Sequence, residues 1–293
     1  MSRRAAWKMA VRLPTLPAAV APVAVGAGVA AGRDAFDLLP ALAALFGALC
    51  LQVGANFAND VFDFRRGADT HDRLGPPRVT QMGLLSPGEV MAGMWAAFAC
   101  AFVAGIYLVW VGGWPIVAVG LSSIVAAIVY TGGPWPIGYH ALGDVFTFVF
   151  FGVAAVVGTY YVQAGETAAL AWGASIAMGC TVTMILVVNN LRDIHTDRAA
   201  GKTTLAVVLG VKGTRAWFSI LLAGAFAAAG LCWPLADASP AVLLVALSAP
   251  FAAGPLRAVL GGAEGRDLNA TLKATARFHL LFGLLFAAGL ALS

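Results

Sequence analysis

The chain has 293 residues, 60% of them hydrophobic and 11% charged, with a formal net charge of +4. Soluble domains carry about 25% charged residues, so a water-soluble globular fold is excluded and lipid is the main solvent. The mean hydropathy of +0.86 and pI near 9.0 follow from a membrane topology with basic loops and give no reason to expect a nucleic-acid partner.

A helix needs about 20 apolar residues to cross a hydrocarbon core. In chain order, spans are expected at 13–31, 38–60, 90–111, 114–131, 143–163, 167–190, 216–234, 239–256 and 276–292. The expectation is an all-α, polytopic membrane protein of nine transmembrane helices in a single domain, 1–293. The first apolar run is long enough to span and no small-residue cleavage pattern closes it, so it is read as a helix and not a leader. The 34 Gly and 14 Pro suit close packing and kinks in a membrane. Cys50, Cys100, Cys180 and Cys232 fall in apolar runs without paired spacing, which favours buried small hydrophobes over disulfides or zinc.

Nine spans put the N-terminus and the loops after helices 2, 4, 6 and 8 on one side. That side carries Arg3, Arg4, Lys8 and Arg12; Arg65, Arg66, Arg73 and Arg78; Arg192, Arg198, Lys202, Lys212 and Arg215; and Arg257, Arg266, Lys273 and Arg277. Only Arg33, of 18 Lys and Arg, lies opposite. Positive residues stay cytoplasmic, so the N-terminus is expected inside and the C-terminus outside a plasma or inner membrane.

Two polar clusters interrupt the apolar pattern. At the end of helix 2, Asn56, Asn59, Asp60 and Asp63 stand at i, i+3, i+4 and i+7 and share a helical face. At the end of helix 6, Asn190, Asp193 and Asp197 stand at i, i+3 and i+7, and Asn189 joins Asp193 at i+4. Polar groups at membrane depth are expensive and mark function. Either cluster alone also reads as a solvated helix cap paired with arginine; two clusters of matched spacing on one side favour a ligand set. Mg²⁺ takes oxygen ligands, commonly one or two carboxylates plus substrate phosphates, so facing clusters suit Mg²⁺ ions gripping a diphosphate. Arg65, Arg66, Arg78, Arg192, Arg198 and Lys202 suit the remaining phosphate oxygens. The clusters end equivalent helices, which suggests two pseudo-repeated four-helix halves plus one helix, with the site between the halves.

Other motifs fail. Gly201-Lys202-Thr203 is not a P-loop, because position 196 is Thr and no strand precedes it. His71, His140, His195 and His279 are scattered and do not form a zinc set; His195 is either solvated or a substrate contact.

Asn59-Asp60-x-x-Asp63 and Asp193-x-x-x-Asp197 resemble the two Asp-rich motifs of the UbiA-type intramembrane prenyltransferases, and the likeness extends over nearly the whole chain. Further strings are similar to the 1,4-dihydroxy-2-naphthoate polyprenyltransferase branch. They are Arg12-Leu-Pro14-Thr15-Leu16-Pro17, Gly67-Ala-Asp69-Thr70, Leu74-Gly75-Pro76-Pro77-Arg78, Tyr130-Thr-Gly-Gly-Pro134-x-Pro136, Asn189-Asn190-x-Arg192-Asp193, and Gly201-Lys202-Thr203-Thr204-Leu205. The superfamily's third Asp, four residues after Asp63, is Gly67 here. Asp69 is the natural substitute, a departure that resembles the naphthoate branch.

The resemblance implies transfer of a polyprenyl group from a polyprenyl diphosphate to 1,4-dihydroxy-2-naphthoate, with loss of CO₂ and diphosphate, giving demethylmenaquinone. Homogentisate or 4-hydroxybenzoate are alternative acceptors, and an ion-coupled transporter is the alternative class. It further implies that Asp60, Asp63, Asp69, Asp193 and Asp197 hold Mg²⁺. Asn56, Asn59, Asn189 and Asn190 orient these ligands or touch diphosphate, which Lys202, Arg65 and Arg78 bind. Arg12 reads as a phosphate or carboxylate ligand, or as an ordinary cytoplasmic anchor. Tyr130 reads as a cation shield or an interfacial tyrosine, and Asp144 as an aid to proton removal. Prenyl chain and membrane lipid are the expected apolar partners.

Overall fold

The computed structural model describes residues 1–68 and 73–293. The helices are α1 (Arg3–Val11), α2 (Pro17–Gly32), α3 (Leu38–Arg65), α4 (Pro87–Gly112), α5 (Trp114–Val129), α6 (Gly143–Thr147), α7 (Ala155–Ala164), α8 (Ala169–Arg192), α9 (Ile194–Ala199), α10 (Leu205–Leu235), α11 (Ala249–Leu260) and α12 (Leu268–Ala291). A π-helical stretch, Phe148–Ala154, joins α6 to α7, and a 3₁₀ stretch, Pro240–Ser248, leads into α11.

Each of the nine expected apolar segments is helical. Among the described residues seven are long and apolar enough to cross a membrane, and an eighth arises if the bent pair Arg3–Thr15 and Pro17–Gly32, at 49°, counts as one. The ninth, α5, has 16 residues, about 24 Å at 1.5 Å per residue, short of a full hydrocarbon core. The first expected span, 13–31, divides: Arg12 is left-handed (φ 56°) and Pro17 opens a new helix, so α1 forms a separate amphipathic element. Helix α10 begins well before the expected 216, and α12 before 276. Lys212, Arg215, Lys273 and Arg277 end the apolar run without ending the helix, because charges are tolerated where a helix leaves the lipid.

Consecutive helices adjoin around a ring, α2–α3–α4–α5–α7–α8–α10–α11–α12, and α12 returns to pack on α2 and α8. The ninth helix is therefore not appended but closes the bundle. Close approach at this seam requires glycine, since a Cβ on Gly28 would lie 2.5 Å from the Ala287 carbonyl oxygen; likewise, where the π-helical stretch meets α8, one on Gly152 would lie 2.5 Å from the Cα of Gly179. The main core is built from α2, α7, α8, α10 and α12, including Phe218, Phe278, Phe282 and Phe286. A smaller core joins α1, the inner end of α3, α4 and residues 79–85. Between them, on the α3–α4–α5 side, the wall is thin in bulky residues and a cavity remains.

Candidate active site

Helix α3 carries the first cluster on its buried face. Asp60 accepts from the backbone N–H of Val79 (3.2 Å) and Thr80 (3.3 Å), and from the Thr80 hydroxyl. One turn later Asp63 meets Arg78 (2.9 Å) and Lys202 (3.4 Å), and accepts from the Tyr139 hydroxyl (2.8 Å). Asn59 accepts from Thr131 (3.0 Å). Asn56 donates to the Val11 carbonyl (3.0 Å) and Thr15 hydroxyl (2.9 Å), holding the break between α1 and α2 against α3.

The second cluster sits where α8 gives way to α9. Asp193 leaves helical geometry (φ −96°, ψ 7°), so Asp197 hangs from a separate short helix. Arg192, 2% exposed, donates to Asp193 (2.8 and 2.5 Å), Asn189 (2.8 Å) and Asn269 (3.0 Å), while Asn269 donates to the Leu74 carbonyl (2.9 Å). Arg192 thus braces α8 against α12 and residue 74 from behind. Among the described residues the Asp197 side chain makes no hydrogen bond or ion pair.

A third segment, 130–142, joins the two. The Thr203 N–H donates to the Tyr139 carbonyl (2.9 Å), and His140 bridges Thr203. This stitch carries Lys202 to 4.6 Å from the Tyr139 ring centroid, a cation–π distance, with Asp63 shared between both residues.

Two cavities result. A polar chamber of about 140 Å³ is lined by Asp63, Arg73, Tyr139, Asn190, Asp193, Asp197 and Lys202. A long apolar cavity of about 970 Å³ runs along α2, α3, α4, α5 and the α6–α7 segment; Leu51, Leu108, Ile116, Val119, Phe150 and Val162 belong to its wall. Arg12, Asn59, Arg78, Tyr130, Leu186 and Asn189 line both, so the cavities meet at these residues. Asn56 and Asp60 face the apolar one.

Several expected residues are elsewhere. Arg65 is exposed and lines neither cavity, since it stands two residues from Asp63 and so on another face of α3. Arg192 lines neither, being a brace. Asp144 accepts from the Trp217 indole (3.1 Å) and also lines neither. Asp69, Thr70 and His71 lie outside the described residues. Sequence reasoning missed Tyr139, Thr131 and Asn269. Tyr139 lies only three residues beyond the Tyr130–Pro136 string and was open to notice; Asn269 is a lone polar residue at a helix start and carries no signal.

The donor set fits a hard cation held jointly with a phosphate ligand. Among the described residues no group of three or more acidic, His or Cys side chains could hold a metal alone, and Mg²⁺ ordinarily uses only one or two carboxylates with the rest from water and phosphate. Burial, and then the neighbouring carboxylates Asp193 and Asp63, push the Asp197 carboxyl up to about 6, against the pull of Lys202. A carboxylate so buried, with like charge nearby, is stabilised by a cation.

The UbiA prenyltransferase family matches residues 19–291. The chain is 40% identical over 295 residues to the 1,4-dihydroxy-2-naphthoate octaprenyltransferase of Mycobacterium tuberculosis, covering 99% of this chain and 98% of that one. In fold it resembles the UbiA homolog from Aeropyrum pernix K1 (TM-score 0.71, 20% identity, 91% and 95% coverage). It also resembles a UbiA homolog from Archaeoglobus fulgidus bound to GPP and Mg²⁺ (TM-score 0.69, 15% identity, 97% and 99% coverage).

Proposed function

Because the chain belongs to the UbiA prenyltransferase family, we propose that it transfers a polyprenyl group from polyprenyl diphosphate to 1,4-dihydroxy-2-naphthoate in menaquinone biosynthesis. Diphosphate and CO₂ leave, and the product is the hydroquinone of demethylmenaquinone. The observation that carries this reading is the meeting of a small polar chamber with a long apolar cavity at Arg12, Asn59, Arg78 and Tyr130. A diphosphate with an isoprenoid tail has that division of polarity, and its reacting carbon lies at the boundary.

In this reading Lys202 and Arg78 meet diphosphate oxygens as charge grows on the leaving group. Asp193 and Asp197, with Asn190, would hold Mg²⁺; when bound, the metal neutralises diphosphate charge. Asp63 keeps Arg78 and Lys202 aimed at the chamber, and Tyr139 keeps Asp63 in place. The apolar wall excludes water from the allylic cation, and Tyr130 at the junction offers it a ring face. Arg12, whose guanidinium has no acceptor among the described residues, takes the acceptor's carboxylate. The ring carbon bearing that carboxylate attacks the cation, a C–C bond forms, and CO₂ leaves without the bonding pair, which restores the aromatic ring. No ring proton has to be removed, so Asp144 has no part in the step.

The test is purified protein in lipid nanodiscs given polyprenyl diphosphate, Mg²⁺ and the naphthoate, with product mass reporting the loss of CO₂. Transfer that follows Mg²⁺ concentration and stops in Asp193→Asn is expected. Preferential prenylation of 4-hydroxybenzoate or homogentisate, with no CO₂ lost, would replace the acceptor assignment.

A further inference from the structure

The apolar cavity reaches solvent at the end of the bundle that holds the acidic clusters, through an opening beside the polar chamber but lined by other residues. Lys8 on α1 and Lys273 on α12 both line the cavity and are exposed, as are Pro76 and Pro77. A residue that lines a cavity and also meets solvent marks its mouth. None of the four lines the polar chamber. Arg12, Gln52 and Asn269 stand deeper on the same wall. Among the described lining residues Asp60 is the sole acid, and both of its oxygens are taken by Val79 and Thr80. The mouth is therefore basic and leads into an apolar wall.

Size argues that the mouth has its own use. The chamber, at about 140 Å³, is far smaller than the apolar cavity of about 970 Å³. Once a diphosphate fills it, no aromatic ring passes through. An acceptor that binds second needs another way to the junction.

We propose that the mouth framed by Lys8, Pro76–Pro77 and Lys273 is the entrance for the anionic aromatic acceptor, the two lysines drawing its carboxylate toward Arg12. The inference rests on the reaction proposed above and adds separate doors for the two substrates. A bicyclic carboxylate suits the opening: its rings pass the Pro76–Pro77 edge into the apolar cavity while its charge meets ammonium groups. Clefts lined by one sign of charge raise local ligand concentration and capture rate.

The experiment compares the unmodified protein with the Lys8→Gln/Lys273→Gln double variant in zwitterionic nanodiscs, varying each substrate. The acceptor KM should rise about five- to tenfold at low ionic strength and converge with the unmodified protein at about 0.5 M salt, where screening is strong. The diphosphate KM should stay constant, and Lys8→Arg/Lys273→Arg should restore the acceptor KM. An unchanged acceptor KM, or a rise in the diphosphate KM instead, overturns the proposal. Equilibrium binding of the fluorescent probe 1-hydroxy-2-naphthoate separates this from the reaction itself. Weaker binding in the Gln double variant, with 1-naphthol unaffected, supports the entrance even if the protein transfers no prenyl group to the naphthoate. Equal probe affinity in both proteins rejects it, whatever the turnover.

Discussion

Asp63 lies between Arg78, Lys202 and Tyr139, whereas Asp197, in the same chamber, has no hydrogen-bond or ion-pair partner among the described residues. Asp60 likewise gives its oxygens to residues 79–80, while the Asp193 side chain, among the described residues, accepts from the arginine beside it in sequence. The clusters share helical spacing but divide the work. The carboxylates of α3 are committed to folding the loops over the site, and at the α8–α9 junction Asp193 is paired with Arg192 while Asp197, among the described residues, has no such partner. Spacing tells which acids share a face; the surroundings tell which of them still has charge to offer.

Substitution should expose that division. Asp63→Ala should do the greatest damage, since it removes the buried carboxylate that faces both Arg78 and Lys202. Breaking a buried pair costs about 3–5 kcal/mol, visible as a lowered melting temperature in detergent together with lost turnover. Asp197→Asn should instead lower turnover by about 10²–10³-fold with the melting temperature held or raised, because the neutral isostere escapes the desolvation that pushes this carboxyl up. A large fall in thermal stability in Asp197→Asn would erase the contrast.

Tyr139→Phe tests the join between the regions. It removes one hydrogen bond to a carboxylate but keeps the ring under Lys202, and a bond to a charged group is worth about 1.5–3 kcal/mol. Turnover should fall about tenfold or more, and Tyr139→Leu, which also removes the ring, should fall further. Acidification acts on Asp197 of the second cluster. With Asp197 near 6, its ionised fraction drops about fivefold between pH 7 and pH 5.3, and a protonated carboxyl does not hold a cation. Turnover at limiting Mg²⁺ should decline through this range, recover with added Mg²⁺, and show no such step in Asp197→Asn. The smallest effect is expected for Asp144→Asn, less than about twofold in turnover, because the residue bonds Trp217 outside both cavities and the CO₂-releasing step needs no base.

Much of this was legible without coordinates. The apolar runs located all nine helical segments, and the i, i+3, i+4, i+7 pattern grouped Asn56, Asn59, Asp60 and Asp63. The same pattern argues against Arg65, which stands at i+2 from Asp63. Proximity in sequence made Arg65 and Arg192 look like phosphate ligands; one points away from the site and the other braces it from behind. Helix α12 looked appended because hydropathy records only which residues prefer lipid and says nothing of which neighbour they face.

Sequence by itself determined the solvent, the helices and the fact that two polar clusters interrupt them, because composition and helical periodicity are local properties. Tertiary structure alone decided which carboxylates are neutralised, since Asp63 meets Arg78 from the following loop and Lys202 from 139 residues away. It also decided that the chamber and the cavity meet at Arg12 and Tyr130, and that Lys8 and Lys273 flank one mouth. Electrostatic interaction depends on distance in space, and only the packing of α3, α8 and α12 around the ring sets that distance.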